Sequence, residues 1–258
     1  MPNSLKDLPL ADFYEGRILN FAHRGANRAA PENTLPAFQM AIQFGADGIE
    51  FDVQLTADDQ VVVFHDLDLD RLTDGSGPLA ERRLDELREL DAGSHFREEF
   101  RGTLIPTLDE VLESFGERLL LNIELKESGK PSRLAETVAQ ALSRHDLAHR
   151  AIVSSFSTSM LQALRRENPD IALGFLQSDL RPMLGLVAQA GLGRYEAWHP
   201  HHSLLSQNSV RRAHRRGYRV NVWTGNELDD IKRLVRFGVD AIISDNPELV
   251  QDVLQGER

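Results

Sequence analysis

The stretch FGADGI at residues 44–49 returns near the other end of the chain as FGVDAI at residues 237–242. Each copy follows an amphipathic segment, carries a glycine where helices end in left-handed backbone, and passes through an aspartate into an apolar run. A looser third copy reads GYRV at residues 217–220. The same helix-to-strand joint at both ends of a chain is typical of a fold made of repeated units. The chain has 258 residues, close to the roughly 250 residues of a (β/α)8 barrel.

Short apolar runs alternate with amphipathic segments along the rest of the chain. The runs predict nine strands, at residues 18–22, 48–55, 61–65, 119–125, 151–155, 172–176, 196–199, 219–223 and 241–244. A capping box, Thr107 with Glu110, opens one helix. The segments between the strands predict helices at residues 34–44, 107–115, 134–142, 160–166, 210–216 and 228–237. This alternation predicts an α/β fold with a parallel sheet covered by helices.

One predicted strand is too many for a regular eight-stranded barrel. Only five residues separate the strands at 48–55 and 61–65, whereas a parallel crossover needs about a dozen or more. We therefore predict an antiparallel hairpin that distorts the barrel. Folding this hairpin back brings His65 opposite the region of Glu50 and Asp52.

Charged side chains lie near the carboxyl ends of the predicted strands, which is where barrel enzymes carry their sites. Glu50 and Asp52 are two residues apart on one strand and so face the same side, and Glu124 and Lys126 do likewise on another. Placing such acids on core-facing positions is expensive unless a cation compensates them. Three carboxylates suit a hard ion such as Mg2+ or Ca2+ better than zinc.

Two histidines belong to the same group of residues at the strand ends. His23 is followed by Arg24, a planar cation that can grip a phosphate, and His65 is the second histidine. Two histidines on opposite sides of a phosphorus suit phosphodiester cleavage, because one can take a proton from the nucleophile and the other can donate one to the leaving alkoxide. The residues alone favour metal-assisted phosphodiester cleavage, with structural histidines as the alternative.

The composition excludes several classes of function. Lys and Arg number 29 against 40 Asp and Glu, a net charge of −11, which argues against a nucleic-acid-binding protein. The chain has no cysteine, which excludes disulfides, thiolate metal sites and a cysteine nucleophile. The N-terminal stretch lacks the pattern of a signal peptide, and no stretch approaches the roughly 18 apolar residues of a membrane span. We expect a soluble cytoplasmic protein with a single domain over residues 1–258.

An ordered series of motifs resembles the glycerophosphodiester phosphodiesterase family, close to its bacterial cytoplasmic members. The motifs run in family order from residue 22 to residue 245, nearly the whole chain. They are AHRG at 22–25, PENT at 31–34, IEFDV at 49–53, HD at 65–66, DGSG at 74–77, DAGS at 91–94, IPTL at 105–108, NIELK at 122–126, SSF at 154–156 and SD at 244–245.

The resemblance implies a (β/α)8 TIM barrel with a small insertion after the His65-Asp66 strand, at roughly residues 67–105. It implies metal-dependent hydrolysis of glycerophosphodiesters to an alcohol and sn-glycerol 3-phosphate. The implied partner is a small-molecule glycerophosphodiester, with no nucleic acid and no stable membrane association, and a homo-oligomer is left open.

The resemblance also implies a role for individual residues. The implied acid/base pair is His23 and His65. One divalent cation, Mg2+ or Ca2+, is implied at the carboxylates Glu50, Asp52 and Glu124. The side chains implied to bind substrate are Arg24, Lys126 and Trp223. We expect Asp66 to orient His65.

Other interpretations compete with this one. The run His199-Pro200-His201 resembles the metal motif of amidohydrolases, which belongs on a first strand, so we expect a loop with no metal role here. Within phosphodiesterases the alternative is lysophospholipase D-like cleavage of a lysophospholipid, but the insertion is heavily charged and offers little to a lipid. A non-enzymatic binding protein is disfavoured because both histidines and all three carboxylates are present.

Overall fold

Residues 13–14, 16–127, 129–178 and 195–256 are described by the computed structural model of the protein. Most of the N-terminal stretch on which the signal-peptide expectation rests therefore lies outside the described residues. Within the described part of the chain, no helix has the length and apolar character required to cross a membrane.

The strands follow the predicted pattern closely. Three predicted strands have the predicted bounds, and the others shift at one or both ends. The strands are β1 Leu19–His23, β2 Gly48–Leu55, β3 Val61–Val63, β4 Leu120–Leu125, β5 Ala151–Ser155, β6 Ala172–Gln177, β7 Ala197–Pro200, β8 Arg219–Val222 and β9 Ala241–Ser244.

The six predicted helices are present between the strands, and two further ones lie in the insertion and after the last strand. The hydroxyl of Thr34 accepts a hydrogen bond from the amide of Ala37 and caps the first helix, and the capping box of Thr107 and Glu110 is present on the third. The helices are α1 Leu35–Gln43, α2 Leu84–Leu87, α3 Leu108–Phe115, α4 Pro131–Arg144, α5 Thr158–Glu167, α6 Gln207–Arg215, α7 Leu228–Phe237 and α8 Pro247–Gln255.

Eight of these strands form a closed parallel barrel. Around the barrel the order is β1, β2, β4, β5, β6, β7, β8 and β9, and β9 pairs again with β1. Strand β3 pairs antiparallel with the carboxyl end of β2 through residues 53–55, beyond the part of β2 that pairs with β1. The TIM barrel distorted by an early hairpin is therefore confirmed.

The helix-to-strand joint repeated at residues 44–49 and 237–242 has the same backbone conformation and makes the same kind of hydrogen bond in both places. Its glycines, Gly45 and Gly238, have φ of 72° and 73°. The carboxylate of Asp47, ahead of β2, accepts a hydrogen bond from the second amide of the adjacent β1, and that of Asp240, ahead of β9, does so from the second amide of β8, both at 2.8 Å. Each aspartate thereby ties its own strand to a neighbour at the amino end of the barrel.

Alternation along the strands divides apolar from polar side chains. Side chains such as Ile49, Phe51 and Val53 belong to the core between the barrel and the helices. The amino end of the barrel interior is closed by a second apolar cluster that includes Phe13 and Tyr14. The intervening residues of β2 therefore point into the barrel, toward its carboxyl end.

The insertion lies between β3 and α3, where it is predicted. Where the chain leaves the insertion, the carbonyl of Pro106 accepts a hydrogen bond of 2.8 Å from the amide of Val63 in β3. The interior of the insertion is a separate apolar cluster of Val62, Phe64, Leu69, Leu72, Leu79, Leu87, Ala92 and Ile105. This core gives the insertion a fixed position beside the carboxyl end of the barrel.

Candidate active site

Strand register brings the predicted metal ligands together. Glu50 lies in register with His23 on one side and with Asn122 on the other, and Asp52 lies in register with Glu124. Three adjacent strands thus contribute polar side chains to two successive levels at the carboxyl end of the barrel. This is the edge at which the sequence predicts the site.

His23 is held by a carboxylate from the far end of the chain. Its Nδ1 lies 2.6 Å from Oδ1 of Asp245, and its Nε2 lies 3.8 Å from Oε2 of Glu50. Asn27 and Asn226 each donate an amide hydrogen bond of 2.6 Å to Asp245, which fixes that carboxylate in turn. Burial lowers the pKa of His23, but Asp245 and Glu50 outweigh burial and raise it above its ordinary value.

His65 lies two residues beyond the end of β3 rather than in the strand as predicted. The backbone amide of Phe64 still donates to the carbonyl of Asp52, and beyond β3 the buried side-chain amide of Gln54 in β2 donates to the carbonyls of Phe64, His65 and Asp66. Nδ1 of His65 lies 2.6 Å from Oδ1 of Asp66, as expected from the sequence. Burial lowers the pKa of His65.

The two predicted phosphate-binding cations are tied to the acids around them. Arg24 Nη1 donates to Glu32 at 2.8 Å, and Arg24 Nε lies 3.4 Å from Oδ2 of Asp52. Lys126 Nζ donates to Oε1 of Glu124 at 3.0 Å and lies 3.5 Å from Oδ1 of Asp52. Both cationic side chains are therefore directed at the same carboxylate, Asp52.

The carboxylates themselves are close and buried. One ligand oxygen from each of Glu50, Asp52 and Glu124 lies within 4.8 Å of the others, and no other such group of three occurs among the residues that the structure describes. Burial, with repulsion from Asp52 and Glu124, raises the pKa of Glu50 to about 8 despite the opposing effect of His23. Burial and Asp52 also raise the pKa of Glu124.

This donor set fits a divalent cation. Oxygen ligands on opposite sides of a Ca2+ ion lie roughly 5 Å apart, so one ion can contact all three carboxylates. The raised pKa values of Glu50 and Glu124 indicate that Arg24 and Lys126 do not fully compensate the buried charge. A hard cation held by the three carboxylates would stabilise their ionised forms.

These residues line one cavity of about 250 Å³ at the mouth of the barrel. His23 and His65 both reach it, as does Trp223, which closes its apolar side together with Phe156. The rings of Trp223 and Phe156 meet edge to face with centroids 5.8 Å apart. Seven of the eight residues predicted for the site therefore line the same cavity, and the eighth, Asp52, lies beside it in register with Glu124.

A second cavity, of about 620 Å³, continues outward from the first. The two share His65, Glu124, Lys126 and Phe156. The outer walls come from residues 66–71 of the insertion and from the loops after β4 and β5. A substrate can thus extend from the inner cavity along the side of the insertion.

Comparison with known proteins agrees with this geometry. The model of the glycerophosphoryl diester phosphodiesterase family matches residues 23–249. The chain belongs to this family. A glycerophosphodiester phosphodiesterase of Caldanaerobacter subterraneus is 37% identical over 93% of this chain and 98% of that protein. One of Bacillus subtilis is 31% identical over 93% and 87%.

Solved structures of the glycerophosphoryl diester phosphodiesterase family share the fold. A phosphodiesterase of Oleispira antarctica, solved with the product sn-glycerol 3-phosphate, is 34% identical, covers 91% of this chain and 96% of its own, and superposes with a TM-score of 0.84. The predicted enzyme class, a phosphoric diester hydrolase, is confirmed by this membership.

Sequence reasoning missed several residues of the site. Asp245 stands in a matching motif but received no role. Asn33 donates to Oδ2 of Asp52 at 2.9 Å from a left-handed backbone with φ of 59°, and Asn122 lines the inner cavity. The run PENT was a usable signal, because an asparagine next to a helix cap tolerates left-handed backbone and can turn its amide inward.

The sequence places His199 both at the end of the predicted strand 196–199 and in the expected loop at His199-Pro200-His201. The structure agrees with the strand and extends it through Pro200, so the expected loop is wrong for His199 and Pro200. His199 and Pro200 continue β7 in register with Leu176 and Gln177 of β6, so the side chain of His199 is enclosed in the barrel. There its Nε2 meets the amide of Asn221 at 3.0 Å. His199 does not belong to the acidic cluster found among the described residues.

The burial of His199 predicts acid sensitivity. Burial lowers its pKa to about 3 in the folded protein, whereas the unfolded chain binds a proton near pH 6.5. The unfolded state therefore binds more protons between these values, so the free energy of unfolding falls by about 2 kcal/mol from pH 6.5 to pH 5. We expect His199→Gln to remove this slope in denaturant titrations and His149→Gln, on the exposed surface, to retain it. A slope unchanged in His199→Gln would contradict the prediction.

Proposed function

We propose that this protein hydrolyses glycerophosphodiesters to an alcohol and sn-glycerol 3-phosphate with a histidine pair and a divalent cation. The observation that carries the proposal is the pair of imidazoles on one cavity. Each has its Nδ1 at 2.6 Å from an aspartate, Asp245 for His23 and Asp66 for His65. That hydrogen bond leaves Nε2 of each ring for the reaction.

The two histidines move the protons. A phosphodiester in the inner cavity has His23 and His65 on its border, so that one ring can accept the proton of the attacking group and the other can donate to the departing alkoxide. The aspartates keep each ring in one orientation and stabilise it when it is protonated. Proton transfer by two histidines requires no covalent bond between substrate and protein, which is consistent with a sequence that has no cysteine.

Glu50, Asp52 and Glu124 would hold Mg2+ or Ca2+, and when bound the cation supplies positive charge for the non-bridging oxygens of the phosphate. Arg24 and Lys126 face the same region from two sides and would bind the phosphate directly. Trp223, which also lines the inner cavity, would contact the glycerol or the alcohol.

The walls of the outer cavity favour a water-soluble alcohol. Its insertion side carries Asp66, Asp68, Asp70 and Arg71, a polar surface that an acyl chain would have to desolvate. The exposed apolar side chains on its rim, Leu67 and Phe156, form no continuous apolar channel. Lysophospholipase D-like cleavage remains the alternative function.

We expect kcat/KM for glycerophosphocholine to exceed that for lysophosphatidylcholine by at least about tenfold. The reason is the charged wall, since an acyl chain lying against it would desolvate polar side chains, and a buried polar group left without a partner costs about 1 to 3 kcal/mol. Release of sn-glycerol 3-phosphate and of lysophosphatidate is measured with Mg2+ and with Ca2+ at submicellar lipid concentration. Faster cleavage of the lipid would favour the alternative, and cleavage of neither would contradict the proposal.

A further inference from the structure

Arg71, in the insertion, forms hydrogen bonds with two carboxylates at once. Its Nε and Nη2 donate to the two oxygens of Asp66 at 2.7 and 2.9 Å. Its Nη1 and Nη2 donate to the two oxygens of Glu32 at 3.1 and 3.0 Å. A guanidinium that forms two bidentate pairs fixes the position of both partners, because its donors have a rigid planar geometry.

Each of these carboxylates in turn holds a residue of the proposed site. Asp66 is the partner of Nδ1 of His65 at 2.6 Å, and Oε1 of Glu32 accepts from Nη1 of Arg24 at 2.8 Å. Arg71 therefore stands where two short hydrogen-bonded chains meet. One chain leads to the predicted acid/base and the other to the predicted phosphate-binding cation.

Arg71 does not itself reach the reacting region. It lines the outer cavity and not the inner one, and about half of its side chain is exposed. Its backbone is fixed from both sides, since Leu69 and Leu72 are buried in the core of the insertion. The insertion thus presents Arg71 from a rigid base.

We infer that Arg71 is a positioning residue that makes the insertion part of the catalytic apparatus, by holding His65 and Arg24 in one relative orientation through Asp66 and Glu32. The inference rests on the proposed function. It gives the insertion a second task besides forming a wall of the outer cavity. Residues that orient a reacting group through one intermediate commonly change activity 10- to 100-fold when they are removed.

The test is a double-mutant cycle on glycerophosphodiester hydrolysis with saturating divalent cation. We expect Arg71→Met to lower kcat about 30-fold in the otherwise unchanged protein. In the background Asp66→Asn with Glu32→Gln, where both partners are altered, we expect Arg71→Met to lower kcat less than about threefold. An equal loss in both backgrounds would show that Arg71 acts independently of the two carboxylates and would overturn the inference.

Two further variants separate orientation from charge and from folding. Arg71→Lys keeps the positive charge but loses the paired planar donors of the guanidinium. We expect its kcat to be about tenfold below that of the wild type, with an unchanged melting temperature. Arg101→Met is the matched control, since Arg101 forms a bidentate pair with Glu98 elsewhere in the insertion, and its kcat should stay that of the wild type. If Arg71→Met does not fold, Arg71→Lys decides, and wild-type kcat in Arg71→Lys overturns the inference.

Failure of the inference and failure of the proposed function give different results. A wild-type protein that releases no sn-glycerol 3-phosphate with any divalent cation contradicts the proposed function, and the role of Arg71 with it. Normal turnover by the wild type together with normal turnover by Arg71→Met contradicts only the role of Arg71.

Discussion

We expect His65→Ala and His23→Ala each to lower kcat/KM for glycerophosphodiester hydrolysis by about 1,000-fold, within the range that a general acid or base contributes. Neither change removes a large apolar side chain from a core, and both rings border the cavity at the barrel mouth. We therefore expect both variants to keep the circular dichroism spectrum and cooperative unfolding of the wild type. Loss of folding instead of turnover would favour structural histidines.

A substrate with a better leaving group separates the roles of the two rings. Nitrophenolate needs no proton when it departs, so a glycerophosphate nitrophenyl diester makes the general acid dispensable and the general base still necessary. The variant that lacks the acid should recover most of its activity on this diester, while the other should not. Equal recovery or equal loss in both variants would contradict a division of acid and base between His23 and His65. His149→Ala, at an exposed position, is the control and should behave as the wild type.

Removal of divalent cations is expected to reduce turnover to the background rate, and added Mg2+ or Ca2+ to restore it. The reason is electrostatic, since burial, with repulsion from Asp52 and Glu124, raises the pKa of Glu50 to about 8. Without a cation, the same acids would also repel the anionic phosphate of the substrate. Activity is measured after dialysis against EDTA and after stepwise addition of each ion. Full activity after rigorous chelation would contradict the assignment of the three carboxylates.

The cation ligands can be tested without an activity assay. Glu124→Gln removes one charge of the cluster, and we expect cation binding by calorimetry to weaken by at least about tenfold. Glu98→Gln, an exposed acid on the insertion, should bind the ion as the wild type does. Equal affinity in both variants would exclude Glu124 as a ligand.

The barrel could be predicted because its evidence is local. Strands such as Gly48–Leu55 and Ala241–Ser244 are uninterrupted apolar or alternating runs, and the short link after β2 allowed only a hairpin. The joint residues Asp47 and Asp240 repeat because each fixes a strand to its neighbour in the same way. The carboxylates were expected to converge because residues two apart on a strand face the same side, and because all parallel strands of a barrel end at the same edge.

Contacts between residues far apart in the sequence could not be predicted from local patterns. Asp245 holds His23 across 222 residues of sequence, and Arg71 meets Glu32 only because the insertion folds on a core of its own. His199 lies at the end of a predicted strand, and the proline after it suggests that the strand stops there, whereas parallel pairing with β6 extends the strand through Pro200. Which polar side chains neighbour a predicted site therefore depends on tertiary packing.

In the proposed reaction water replaces the alcohol on phosphorus, so the bond between phosphorus and the alcohol oxygen breaks, and the identity of the phosphorus-containing product shows whether it does. Glycerophosphocholine is incubated with the cation-loaded protein, and the products are followed by 31P nuclear magnetic resonance, with His65→Ala as the control. We predict that sn-glycerol 3-phosphate accumulates with the wild type and not with the variant. Accumulation of phosphocholine, or no new phosphorus signal with any divalent cation, would contradict it.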